Sequence, residues 1–166
     1  MSSRAFNHPP KRILIVCKGN ICRSALAEVI LRKEILDYPS LQGVEVRSAG
    51  TENYNVGRGA DPSAVRIAAE HGYDLGRHIA KQVQREDIAW ADLVVAMDRS
   101  NVDRLLGLFA DLGIKDKVRL LMTFAREEDG DIPDPYKGDY TQFRNAFVLI
   151  HSACKEMVKV IAVQES

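Results

Sequence analysis

The sequence has little of what builds a specialised scaffold. It contains three cysteines in 166 residues, an odd and sparse set that excludes a disulfide-stapled framework and points to a reducing compartment, read here as the cytoplasm. No apolar run approaches bilayer-spanning length; the best, Ile13 to Cys17, is far too short, so no membrane partner is expected. The segment before Lys11 is polar and contains Pro9 and Pro10, without a signal-type apolar stretch, so export is not expected and residues 1–10 read as a disordered or extended segment. Net charge is also missing, with 23 basic against 23 acidic residues, which removes any whole-protein field for nucleic acid. Internal repeats, low-complexity tracts and Pro/Ser linkers are absent, so the chain reads as one domain over 11–166. At 46% hydrophobic content that length can bury a core without staples or a structural metal.

What is present alternates. Ile13–Val16 reads as a buried strand, followed by a helix from Ser24 to Glu34 with Leu26, Val29 and Ile30 on one side. Val44–Arg47 is a second strand, opening into a loop from Gly50 to Ala60 that could wall a site. Asp61-Pro62 starts a helix with Val65, Ala68 and Ala69 inward and Gly72 as its stop. Leu93–Met97 is a third strand, Val102, Leu105, Leu106 and Phe109 recur at helical spacing, and Val118–Leu121 is a fourth strand. Residues 126–140 are too rich in Asp, Gly and Pro to be regular and read as an exposed polar loop. A closing helix presses Phe143, Phe147, Ile150, Cys154, Met157 and Ile161 onto the sheet, placing Cys154 in the core. The fold class is therefore α/β, a single domain whose parallel sheet is covered by helices on both faces.

Cys17-Lys18-Gly19-Asn20-Ile21-Cys22-Arg23-Ser24 joins the first strand to the first helix, at the carboxyl end of the sheet where such folds leave a crevice. A loop wrapped on a helix N-terminus suits an anion, Gly19 allows the curvature, and Arg23 adds a fork of donors matched to two phosphoryl oxygens. The same positive field favours the thiolate of Cys17, when an unperturbed thiol is only roughly 3% ionised at neutral pH. Ser24 can donate its hydroxyl to that sulfur and is also placed to cap the helix. The loop lacks the Gly-Lys-Ser/Thr ending of a nucleotide-binding loop, and Cys17 and Cys22 lack a second Cys/His pair, so neither a nucleotide nor a metal or other cofactor is expected. His78 alone reads as a structural histidine. Cleaving a phosphate ester also needs an acid, and Asp134 in Asp131-Ile132-Pro133-Asp134-Pro135-Tyr136 is held between prolines. From chemistry alone Asp129, Asp131 and Asp139 are nearly as eligible.

Val16 to Ser24 with Ala27-Glu28, then Ser48-Ala49-Gly50-Thr51, Asp61-Pro62, His78 to Gln82, Met97-Asp98 with Asn101, and Asp134-Pro135-Tyr136 resemble, in order, the signature of the low molecular weight protein tyrosine phosphatases. That resemblance implies a four-stranded parallel sheet of order 2-1-3-4, phosphatase I-like, and metal-independent hydrolysis of phosphotyrosine. It implies Cys17 as nucleophile, Arg23 as phosphate ligand and Asp134 as general acid and then base. Lys18, Gly19, Asn20, Ile21, Cys22 and Ser24 would form the phosphate loop, Tyr54 and Tyr136 the walls of a cleft deep enough to select phosphotyrosine, and Asn20, Ser24, Ser48 and His78 the network bracing the loop. Cys22 resembles the second loop cysteine that can pair reversibly with the nucleophile. Phosphotyrosine proteins, a bacterial tyrosine kinase as opponent, and inhibition by phosphate-like oxyanions follow from the same resemblance. Lys18, with Asn55 and Arg58 beside the wall, suggests a mild preference for acidic peptides.

Ala25 stands where the family usually has proline, and Lys137 where many eukaryotic relatives have a second tyrosine, which favours bacterial-type membership. Three other readings stay in view. An arsenate reductase on the same scaffold would need further cysteines for a relay, and only Cys154 lies outside the loop. An inactive phosphotyrosine-binding module would have no use for Cys17 and Asp134 together. A phosphoarginine-hydrolysing variant would usually carry threonine where Ile21 stands.

Overall fold

A computed structural model describes residues 9–125 and 130–163. Of the N-terminal segment expected over residues 1–10, only Pro9 and Pro10 fall within that range, and Asp129 lies outside it. The chain runs β1 (Arg12–Cys17), α1 (Arg23–Ile35), β2 (Glu45–Gly50), α2 (Pro62–Glu70), α3 (Arg85–Trp90), β3 (Leu93–Ala96), α4 (Arg99–Leu108), β4 (Val118–Leu120) and α5 (Tyr140–Val163). The sheet is parallel throughout, in the order β2-β1-β3-β4. β1 lies between β2 and β3, with Cys17 opposite Gly50 and Val16 opposite Ala96, so the loop leaving Cys17 emerges at the middle of the sheet's carboxyl edge.

Side-chain alternation along β1 divides the core in two. Ile13, Ile15 and Cys17 face α1, α2 and α5, whereas Leu14 and Val16 face Ile88 of α3 and Leu105 of α4. All six stripe residues of α5 are buried, Cys154 completely, which at about 1.5–3 kcal/mol per large apolar side chain makes this helix a main contributor to the fold. Arg23 through Ala27 are also buried, because the start of α1 is enclosed by the loop it follows rather than lying at the surface.

Several expectations need correction. In α2 the buried positions are Ala64, Ile67 and Ala68, while Val65 is half-buried and Ala69 exposed. The 3.6-residue period was right and its phase was set one residue off; Asp61 caps the helix through Ser63 N and Pro62 opens it, as read. β2 runs on to Gly50, because Gly50 donates to Lys81 O and accepts from Val83 N, so the loop starts at Thr51. The polar segment before α5 is not wholly exposed: Ile132 is buried and its N–H donates to Met97 O. α3, which had no apolar stripe long enough to announce it, is fixed by a capping box between Gln84 and Asp87. Finally, Ser24 does not cap α1; Cys22 occupies that position and supplies no side-chain bond to the helix amides.

Candidate active site

The loop between β1 and α1 closes around Asn20. This residue is completely buried and left-handed, with φ 59°, a conformation that asparagine tolerates better than most side chains. Its side-chain amide donates to Ser24 Oγ at 2.8 Å and to Ser48 Oγ at 2.9 Å, and its Oδ1 accepts from Lys81 N at 3.0 Å. The backbone carbonyl accepts from His78 Nε2 at 2.6 Å, which fixes the ring's tautomer on that nitrogen. Ser48 in turn gives its hydroxyl proton to Glu28 Oε1. The four residues expected to brace the loop do meet, and Glu28 and Lys81 join them.

That network orients the sulfur's partners. Since Ser24 Oγ accepts from Asn20, its own proton is free for Cys17 Sγ, 3.0 Å away, and Asn20 N donates to the same sulfur at 3.3 Å. Two donors therefore converge on Cys17, which is 3% exposed at the floor of the cleft. Gly50 packs so closely beneath the loop that a Cβ there would sit 2.7 Å from Lys18 O, and one at Gly19 would sit 2.6 Å from Asn55 Nδ2. At Gly50 the near atoms are backbone, so glycine there is a requirement of space, whereas at Gly19 the Asn55 side chain can turn aside.

Arg23 is 2% exposed, and its Nη1 donates to Asp98 Oδ2 at 2.7 Å and to Ile132 O at 2.8 Å. Nε is buried with no hydrogen-bond partner among the described residues. One end of the fork is thus anchored while donors remain for a guest, in a protein where buried polar atoms are ordinarily paired. Burial opposes the guanidinium's charge, but Cys17, Asp98 and Asp134 together hold it protonated above its ordinary range. Burial likewise works against ionising Asp98, yet hydrogen bonds from Arg23, Ser100 and Asn101 N–H outweigh it and hold that carboxyl below its usual value.

Cys17 through Arg23, Tyr54, Asn55, Asp134 and Tyr136 line one cavity of about 160 Å³. Tyr54 and Tyr136 are 66% and 48% exposed, which is unusual for large aromatics and leaves both rings open to a guest. Asp134 Oδ2 lies 3.6 Å from Arg23 Nη2 at the mouth, and its Oδ1 accepts from Tyr136 N. The other eligible acids are occupied elsewhere: Asp131 accepts from Arg99 N and Asp139 from Gln142 N, each at the start of a helix. Among the described residues, Asp134 alone of these carboxylates reaches the cleft. Cys22 is 2% exposed, and burial, then the charges of Asp61 and Cys17, push its thiol well up. Burial does the same to Cys154, remote in α5.

A family model for low molecular weight phosphotyrosine protein phosphatase matches residues 12–166. The chain belongs to this family. It is 40% identical over 148 residues to low molecular weight protein-tyrosine phosphatase A of Mycobacterium tuberculosis, covering 87% of each chain. It is 36% identical over 156 residues to a low molecular weight protein-tyrosine-phosphatase of Streptomyces coelicolor, covering 92% of this chain and 94% of that one. Its fold matches a crystal structure of a protein tyrosine phosphatase from Entamoeba histolytica with Hepes in the active site, with TM-score 0.81 and 30% identity over 89% of this chain and 94% of that one. As a member of the low molecular weight phosphatases the chain has a metal-independent hydrolase as its family type.

Within this phosphatase, residue-by-residue reading missed Asp98, Glu28, Lys81 and Gly50. Asp98 was visible in Met97-Asp98 with Asn101, a capping pattern at the end of a buried strand, but nothing local shows that its second oxygen faces Arg23. Gly50 closes β2 opposite Cys17, and glycine within a strand often marks a close backbone approach.

Proposed function

We propose that this protein hydrolyses phosphotyrosine in proteins through a phosphocysteine on Cys17. The observation that carries the reading is Cys17 Sγ, held by two donors at the floor of a cleft into which a half-anchored Arg23 and Asp134 both face. The tyrosyl ring enters between Tyr54 and Tyr136, and the phosphoryl oxygens take the loop amides and the free donors of Arg23. The sulfur attacks phosphorus as the P–O bond to tyrosine breaks, and the carboxylic acid of Asp134 gives its proton to the departing phenolate. Asp134, now a carboxylate, takes a proton from water as that water attacks phosphorus. The S–P bond breaks, inorganic phosphate leaves, and the Ser24 hydroxyl and Asn20 N–H stabilise the released thiolate.

Depth supports tyrosine over serine, because a shorter phosphoserine would hold its phosphate away from a sulfur at the cleft floor. Lys18 Nζ stands 5.8 Å from the Tyr54 ring centroid, and this exposed cation supports a mild preference for acidic flanks. Phosphate-like oxyanions compete for the same cradle. The substrates are phosphotyrosine proteins of the cytoplasm, opposed by a bacterial tyrosine kinase, a setting that fits three free thiols and the bacterial relatives. Burial of Cys154 in α5 speaks against an arsenate relay. Hydrolysis of p-nitrophenyl phosphate without metal tests the reading: Cys17→Ser should abolish turnover, and Asp134→Ala should lower kcat by roughly 10² to 10⁴. Turnover surviving in Cys17→Ser would end it.

A further inference from the structure

Each aromatic wall of the catalytic cleft carries a lysine. Lys18 Nζ stands 5.8 Å from the Tyr54 ring centroid, and Lys137 Nζ stands 5.8 Å from that of Tyr136. Neither lysine forms an ion pair among the described residues. The carboxylates around them are engaged: Glu52, which feels the charge of Lys18, is bound to Arg104, Asp134 faces Arg23, and Asp139 accepts from Gln142 N at the start of α5. Lys137 is also held in an unfavourable backbone conformation. Gly138 N donates to Pro135 O at 2.7 Å, closing a turn whose third residue is Lys137, with φ 63°. Glycine or asparagine usually takes that place, and a lysine there is strained. The strain persists because the turn is fixed from both sides, by Asp134 Oδ1 accepting from Tyr136 N and by the reciprocal bonds between Asp139 and Gln142. A strained residue with an unpaired charge thus stands at the rim of the cleft, where strain of this kind commonly serves a site.

We infer, on the phosphatase reading above, that Lys137 is a specificity-determining residue acting apart from Lys18, and that the substrate backbone crosses the mouth from one wall to the other, with an acidic residue beside each lysine. Periodicity says which residues these are. In an extended chain the side chains two positions before and two positions after the phosphotyrosine share its face and lie about 7 Å to either side of it. With the guest ring between Tyr54 and Tyr136, those two side chains come down over opposite walls, one beside Lys18 and one beside Lys137. Exposed charges at such spacing give modest, salt-screened gains, about twofold to fivefold for each contact. The contacts share no partner, so their gains multiply.

Four phosphotyrosine peptides test this at low salt, carrying glutamate or glutamine two residues before and two residues after the phosphotyrosine. For each variant, kcat/KM is divided by its own value on the all-glutamine peptide. In the wild type each glutamate should raise kcat/KM about twofold to fivefold and the pair on the order of tenfold, and both gains should fade at about 0.5 M salt. Lys137→Gly, which suits the left-handed turn, should lose the gain at one flank and keep the other, and Lys18→Ala should do the reverse. Lys137→Glu should turn the gain at its own flank into a penalty. Lys137→Gly should also unfold no earlier than the wild type on heating, so that its lost preference comes from the charge and not from a damaged turn. Undiminished gains at both flanks in Lys137→Gly, or loss of the same flank in Lys137→Gly and Lys18→Ala, overturns the inference. Wild-type turnover of the all-glutamine peptide is read in the same series, so that outcome is distinct from a failure of the phosphatase reading itself.

Discussion

Replacing Asp98 by alanine leaves the Arg23 guanidinium, 2% exposed, with Ile132 O as the one remaining acceptor for Nη1. Removing one partner of a buried pair costs about 3–5 kcal/mol, and the lower half applies because the Asp98 side chain is 17% exposed. Asp98 also caps α4 through Asn101 N, adding about 1 kcal/mol. The sum, about 4 kcal/mol, is a large part of the ~5–15 kcal/mol that holds a domain of this kind. Asp98→Asn keeps one oxygen where Oδ2 meets Arg23 and Oδ1 accepts from Asn101 N, so it retains one of these two bonds and should cost about 1–3 kcal/mol. Urea unfolding monitored at constant m reads both differences. A guanidinium no longer anchored also presents its donors poorly, so kcat/KM on p-nitrophenyl phosphate should fall about 10²-fold in the alanine variant and about tenfold in the asparagine one. The pH dependence has a definite sign. A carboxyl held below its ordinary 3.8 adds stability that is complete above its unfolded value and is lost as pH falls through its folded one, so wild type and Asp98→Asn should converge below about pH 4. Equal unfolding midpoints for the two variants at neutral pH, or an unchanged inhibition constant for inorganic phosphate in Asp98→Ala, would refute the claim that Asp98 positions Arg23.

Asn20→Gly retains access to φ 59° and loses the amide, whereas Asn20→Ala loses both. Activity should fall roughly 10- to 10²-fold in each, and the alanine variant should be less stable by a further 1 kcal/mol or so, measured by thermal unfolding. Wild type inactivated by mild peroxide should recover with dithiol and show a Cys17–Cys22 bridge by peptide mass spectrometry; Cys22→Ser should recover poorly, because its nucleophile oxidises past the reversible stage. Lys18→Ala should remove a preference of about twofold to fivefold for acidic over basic phosphotyrosine peptides at low salt. Equal use of the two peptides by the wild type would show that Lys18 does not select.

The two central strands, Ile13–Val16 and Leu93–Ala96, were legible because they are buried on both faces and read as short continuous apolar runs between turn signals. The stripe of α5 was legible for a similar reason: twenty-four residues repeat the period often enough to fix its phase. α2, with nine residues of small side chains, does not, and its face was set one residue off. The site divides along the same line. Everything in the loop from Cys17 to Ser24 is contiguous and carries its chemistry in residue type and spacing. Asp98 and Glu28 act through partners 75 and 20 positions away in sequence, and no local pattern encodes a contact of that range. Asp134 stood among equally acidic neighbours until the fold sent Asp131 and Asp139 to helix starts.

The central claim is a covalent bond between phosphorus and one sulfur, and trapping it is the most direct test. Asp134→Ala, mixed with p-nitrophenyl phosphate, should form the phosphoenzyme and release it slowly, because the leaving group needs little protonation while the attacking water has lost its base. Rapid quenching and peptide mapping should then find one phosphoryl group on Cys17 and none in Cys17→Ser/Asp134→Ala. A phosphoryl group on Ser24 or His78, or steady turnover with Cys17 unmodified, would contradict the account.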